Sequence, residues 1–218
     1  TSQVRANASA GFSIVSYTGN GLLNATVGHG LNAAPTFRIT KRRDGTDNWV
    51  VNTTAIDGGH DYAHLNLTNA FSSDSVNPPS STVFSIGSAT SVNGNGNTYV
   101  CYCFTPVEGY SAFGSFVSNN STDGPFVYLG FQPKLVGWKN VDAAHGWYFY
   151  DDEREPSNPH NDYIELNSSN AEGSSGGTMD ILSNGFKVRN TGADMNANSH
   201  KILYMAWAEH PFKTARAR

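Results

Sequence analysis

Cysteine is nearly absent. The 218 residues contain two, Cys101 and Cys103, so no disulfide framework staples the fold, which fits assembly in a reducing cytosol. Both lie in a run, Tyr99 to Phe104, that reads as a strand, at positions i and i+2. Their Cβ atoms are then roughly 6–7 Å apart on one face, beyond the about 3.5–4.5 Å that a disulfide needs. They read as buried small hydrophobes, and no His or Cys spacing nearby marks a metal site. Charge is also scarce, at 15% of residues with a net −4 and a pI near 5.9. The 14 Lys and Arg are scattered apart from Lys41-Arg42-Arg43 and the basic tail Lys213 to Arg218, which leaves no basic face for nucleic acid. No apolar run approaches the ~18–20 residues of a membrane span, and no signal-peptide pattern opens the chain. Thr1 reads as a processed end or as the start of an ordered part of a longer protein. No stretch keeps apolar residues at i, i+3, i+4 and i+7 over three turns, so little helix is expected. The seven histidines are dispersed with no HExxH motif, and the Ser-rich stretches hold no GxSxG elbow, so neither a zinc hydrolase nor a serine hydrolase is supported.

What the chain has instead is punctuation. Twenty-two Gly and 9 Pro, with abundant Asn and Ser, interrupt it every ten residues or so. That is the texture of short strands joined by tight turns. Strands are expected at 13–18, 36–41, 49–52, 63–67, 83–86 and 98–104, then at 134–139, 147–151, 163–166, 179–182, 186–188 and 201–207. Asp44-Gly45, Asn93-Gly94-Asn95-Gly96, Asp123-Gly124 and Ser183-Asn184-Gly185 supply the positive-φ positions that hairpins require. The fold class expected is all-β, a β-sandwich of jelly-roll or concanavalin-like type.

The halves also match each other in order. Pro35, Lys41 and Trp49 reappear as Pro133, Lys139 and Trp147, each 98 residues on, and Asp61-Tyr62, Leu65-Asn66 and Asn69-Ala70 reappear 101 residues on. The apolar run from Tyr99 returns as Ile202 to Trp207. We therefore expect two repeats, about 11–116 and 124–213, fused into one sandwich across a short join, Gly114 to Gly124, and preceded by an extended arm over residues 1–10. Residues present in both copies serve the shared architecture in preference to one binding site. That makes Trp49 and Trp147 core residues, and Asp61, Tyr62, Asp162 and Tyr163 loop ties and packing.

Several segments together resemble a known family. They are GFSIVSYTGNG from Gly11, VGHGLNAAPTFRITKRR from Val27, YVCYCFTPVEGYSAFGSF from Tyr99, GPFVYLGFQPKLVGWKN from Gly124, LSNGFKVRN from Leu182 and ILYMAWAEHPFK from Ile202. The chain is similar to a domain of unassigned function that recurs in tail-fibre-like and other structural proteins of marine bacteriophages, including cyanophages. The resemblance spans Gly11 to Lys213. It implies a lectin-like sandwich on the exterior of a virion assembled in the bacterial cytoplasm, with other virion proteins as partners, and it carries over no catalytic residue.

One segment is not duplicated: Asp151-Asp152-Glu153-Arg154-Glu155-Pro156 followed by Ser157-Asn158-Pro159-His160-Asn161. Adjacent acids on a polar loop are most often solvated. The same acids with Asn158 and His160 could bind Ca²⁺ or a sugar through oxygen ligands, or, as the least supported reading, act as a glycosidase pair. Tyr110, Tyr128 and Trp138 are candidate exposed aromatics for stacking on a glycan. The expected function is thus a non-enzymatic virion protein, a homotrimeric tail-fibre or appendage domain contributing to host-surface recognition. A lectin-like glycan-binding module, a capsid decoration protein and a glycan-cleaving enzyme follow as alternatives.

Overall fold

Strands follow from the alternation of side chains, and the computed structural model of the protein bears this out for residues 2–210, with backbone only at 175–177. Thr1 and the basic tail lie outside the described residues, as does any role for that tail. The chain is all-β, with every strand pairing antiparallel, and it divides into two units. The first is Thr1–Leu67 with Phe71–Pro106, and the second is Val107–Arg218 with Thr68–Ala70.

In the first unit the strands are β1 (Ser2–Asn7), β2 (Phe12–Thr18), β3 (Ala25–Gly28), β4 (Phe37–Arg42), β5 (Val50–Thr53), β6 (Asp61–His64), β7 (Ser72–Ser73), β8 (Val83–Ile86) and β9 (Thr98–Phe104), with a single-turn helix α1 (Thr90–Asn93). One sheet runs β1-β2-β9-β4-β5-β6-β7, and β3 pairs with β8 as a separate ribbon. Alternation is cleanest in β9, where Tyr99, Cys101 and Cys103 point inward. They pack with Val15 and Tyr17 of β2 and with Val27, Phe84 and Ile86 of the ribbon to form the core. Both thiols are free and buried, with their sulfurs 3.7 Å apart.

The second unit contains β10 (Ser111–Val117), β11 (Phe126–Tyr128), β12 (Leu135–Asn140), β13 (Trp147–Asp151), β14 (His160–Glu165), β15 (Gly173–Leu182), β16 (Gly185–Val188), α2 (Ala193–Asn196) and β17 (Lys201–Trp207). Its sheet runs β10-β17-β12-β13-β14-β15-β16-β11. β15 pairs with β14 at Gly173, Ser174 and Met179, and with β16 from Met179 to Leu182. Trp138, Tyr150, Met179, Phe186, Val188 and Ile202 lead the core.

The strand orders correspond: β2-β9-β4-β5-β6 in one unit stands where β10-β17-β12-β13-β14 stands in the other. Two expectations are corrected. The join does not lie at Gly114–Gly124, because Ser111–Val117 is a full strand hydrogen-bonded along β17, and the units meet in sequence at Pro106–Val107. The residues expected as an arm include β1, which pairs with β2 over six residues from Ser2↔Tyr17 to Asn7↔Phe12.

Candidate functional site

The acidic loop after β13 is tied into its own unit. Asp151 accepts from the Arg154 backbone N–H at 3.0 Å and from its Nε at 2.6 Å, while Arg154 also reaches Glu172. Burial alone would raise the Asp151 pKa, but the Arg154 guanidinium and backbone N–H outweigh it and hold the carboxyl below its usual range. Lys134 bridges Asp152 at 3.1 Å and Glu153 at 2.9 Å. Glu155 turns back to accept from the backbone N–H groups of Asn161 and Asp162, which overcome its burial and lower its pKa. Among the described residues no group of three His, Cys, Asp or Glu is placed to hold a metal ion. Through these bonds the acids tie the loop to its own unit. Asn158 likewise serves the fold, bonding the Ile181 backbone N–H and C=O and His160 Nδ1. His160 itself is buried, with no bond at Nε2.

The aromatic candidates separate. Trp138 is fully buried and stacks on Tyr150 at 4.2 Å, so it is a core residue and not an exposed platform: β12 is central in its sheet and carries Trp138 inward. Tyr110 is half-buried in the turn between Val107 and Ser111. Tyr128 is 68% exposed on the edge strand β11. Of the matched pairs, Trp147 is fully buried, while Trp49 is half-buried beneath the Lys41 ammonium at 5.9 Å. Both place their backbone N–H on an Asn side chain, Asn66 and Asn167. Asp61 and Tyr62 sit on β6, and Asp162 and Tyr163 on β14, in strands and not in loops. Tyr163 packs against Tyr148 and Tyr150.

The site that sequence reading missed lies in the first unit. Register aligns Ser13, Cys103, Arg38, Asn52 and Tyr62 as one cross-strand row over β2, β9, β4, β5 and β6. Arg38 is 2% exposed. Its guanidinium lies 4.5 Å from the centre of the Phe84 ring, donates to the Ser85 carbonyl at 3.4 Å and donates to Nε2 of His60 at 2.7 Å. His60 Nδ1 faces Asp74 at 3.6 Å, and Asp74 accepts from Asn52 Nδ2 at 2.8 Å and from the Val76 N–H at 3.4 Å. Burial first, and Arg38 second, push the His60 pKa down to about 4 against the pull of Asp74, so the imidazole is neutral at pH 7.

This chain of groups backs a cleft of about 350 Å³. Asn52, Tyr62, His64, Asp74 and five serines, Ser73 and Ser88 among them, supply its polar lining, and Leu23, Val50, Ile86 and Val92 lead its apolar lining. Arg38 and Asp74 balance in charge and His60 adds none, so the back of the cleft is close to neutral. In the second unit the row holding the same place is Ala112, Ala206, Val136 and Tyr150, which is apolar apart from one phenol. Burying a guanidinium is costly unless it is fully paired. A sandwich core does not need one, as the second unit demonstrates.

No helix among the described residues is long and apolar enough to cross a membrane. No curated protein matches the chain, and neither does any solved structure. A sequence family does match, over residues 1–211, including the first ten. The chain belongs to the family described as Domain of unknown function (DUF7483).

Proposed function

We propose that the chain is a non-catalytic structural domain of a bacteriophage virion, carried on a tail fibre or another outer appendage, where it contributes to host-surface recognition. The observation that carries the reading is the run of six segments, in order from Gly11 to Lys213, that resembles phage appendage domains. The acidic loop supports it, because Asp151, Asp152, Glu153 and Glu155 are each held by a cation or a backbone N–H of the same unit. Groups so engaged build a surface in preference to turning over a substrate. Self-association as a homotrimer belongs to this reading, with the exposed edge strand β1 as a ready pairing surface. The test is a cryo-EM map of the assembled particle at side-chain resolution. The expected result is this sandwich in a fibre or appendage around a threefold axis. Density on a capsid lattice would favour decoration, and absence of the chain from purified particles would end the virion reading.

A second reading, a lectin-like carbohydrate-binding module, is favoured by the mixed polar and apolar cleft of the first unit. The two readings are compatible, since an appendage can bind sugar.

A further inference from the structure

We propose that the cleft backed by Arg38, His60 and Asp74 is a binding site for a neutral saccharide unit, with Asp74 and Asn52 holding ring hydroxyls. The inference rests on the carbohydrate-binding reading and gives it a place, a ligand class and a set of contacts.

The volume comes first. About 350 Å³ is at the small end of the roughly 300–1,000 Å³ typical of small-molecule sites, room for one or two sugar rings and too little for a peptide segment. The lining then sets the chemistry. Serine hydroxyls, a carboxamide and a carboxylate can exchange hydrogen bonds with hydroxyls in both directions. Val50, Ile86, Val92 and the Tyr62 ring offer an apolar side to the C–H face of a pyranose. Charge excludes the acidic and basic alternatives, because the Asp74 carboxylate at the wall is balanced by the Arg38 guanidinium behind it through a neutral imidazole. An anionic ligand would be desolvated there against the Asp74 carboxylate, and a cationic one would meet a carboxylate already offset by Arg38.

Preorganisation is the strongest argument. Asp74 is fixed from behind by the Asn52 amide and the Val76 N–H, and it remains partly exposed to the cleft with lone pairs to spare. A carboxylate aimed this way accepts a charge-assisted hydrogen bond from a hydroxyl without first reorganising. The apolar row of the second unit gives the counterexample, since the same strand order there carries no such acceptor.

The experiment is amide-resolved NMR titration of the full chain with glucose, galactose, mannose and N-acetylglucosamine, and with glucuronate as a charged comparison. The expected result is saturable shifts from at least one neutral sugar at the amides of 73–75 and 85–92, with weaker or no shifts from glucuronate. Ala89→Trp, which fills the exposed mouth of the cleft without touching the core, is expected to abolish them. Asp74→Asn is expected to weaken binding about tenfold, as for loss of one charge-assisted hydrogen bond. No shifts with any of the neutral sugars would overturn both the site and the carbohydrate-binding reading. Shifts that map instead to β11 around Tyr128, or that survive Ala89→Trp, would overturn the site while leaving that reading standing.

Discussion

Arg38 donates to Nε2 of His60 at 2.7 Å, and this bond fixes the tautomer of a buried imidazole. A guanidinium has donors only, so Nε2 must be the acceptor and the ring proton resides on Nδ1, directed at Asp74. Nitrogen-15 NMR of the imidazole at neutral pH is expected to show the Nδ1–H form, and an Nε2–H spectrum would contradict the arrangement.

Burial of this imidazole, with Arg38 beside it, makes stability depend on acid. His60 has an ordinary pKa of 6.5, lowered to about 4 in the folded chain. Between those values the unfolded chain holds a proton that the folded chain refuses, so stability falls as pH drops from 6.5 towards 4. The shift is worth up to roughly 3 kcal/mol. His29, also lowered by burial, adds in the same direction. Urea midpoints measured over this window should decline, and His60→Gln, which can keep an acceptor for Arg38 and a donor for Asp74, should flatten the decline. An equally steep decline in that variant would assign it elsewhere.

Asn93 and Asn196 close α1 and α2 and are both fully buried. Asn93 donates to Asn20 Oδ1 and the Leu22 carbonyl and accepts from the Asn20 N–H. Asn196 donates to the carbonyls of Ser121 and Asn190 and accepts from the Asn119 N–H. Each staples the loop that follows the first long strand of its unit. Alanine at either position strips buried backbone groups of their partners and is expected to cost about 3 kcal/mol, read from chemical denaturation. A loss below about 0.5 kcal/mol, the range of ordinary surface changes, would refute the role.

The sequence revealed the strands that are rich in apolar side chains and bounded by turn residues, and hid those that are not. The runs 83–86, 98–104, 147–151 and 201–207 coincide with β8, β9, β13 and β17 because apolar side chains and turn residues mark both face and ends. β1 shows no such pattern because nearly all of it is exposed, and β11 is three residues long. β10 contains Gly114, which read as the start of the short join between the repeats. In the fold a Cβ there would stand 2.6 Å from the Tyr204 hydroxyl, so glycine makes room for a ring on the neighbouring strand. The cleft was hidden because its lining is spread from residue 23 to residue 92 and meets only through strand register. One signal was present in the chain itself: Arg38 and Asn52 stand where the other half has Val136 and Tyr150. A mismatch between otherwise parallel halves marks a position that the shared architecture does not explain.

Lys139 predicts the same direction of pH dependence, on the alkaline side. It is fully buried, and its ammonium donates to the carbonyls of Thr68, Asn140 and Ala143. Burial lowers its pKa from 10.5 to about 8. Between those values the unfolded chain holds the extra proton, so stability rises with pH, by up to roughly 3 kcal/mol across the window. Tyr148, pushed up to about 12 by burial, opposes this only above pH 10. Denaturation midpoints should therefore climb from pH 8 to 10, and the climb should vanish in Lys139→Met.

Trp138 and Tyr128 separate stability from surface chemistry. Trp138 is fully buried, stacked on Tyr150 with an interplanar angle of 18° and packed among Val136, Met179 and Phe186. Removing its ring leaves a void that the surrounding strands cannot close, so Trp138→Ala is expected to cost about 3–5 kcal/mol. Tyr128 extends from an edge strand and is 68% exposed, so Tyr128→Ala is expected to stay within about 0.5 kcal/mol. Thermal denaturation of the two variants, side by side, checks the pair. A large loss at Tyr128 would mean that its ring is covered in solution, and the natural cover for an exposed aromatic on a sheet edge is another copy of the chain. Repeating the measurement over a range of protein concentrations distinguishes that case, because stability drawn from self-association rises with concentration while stability drawn from a core does not.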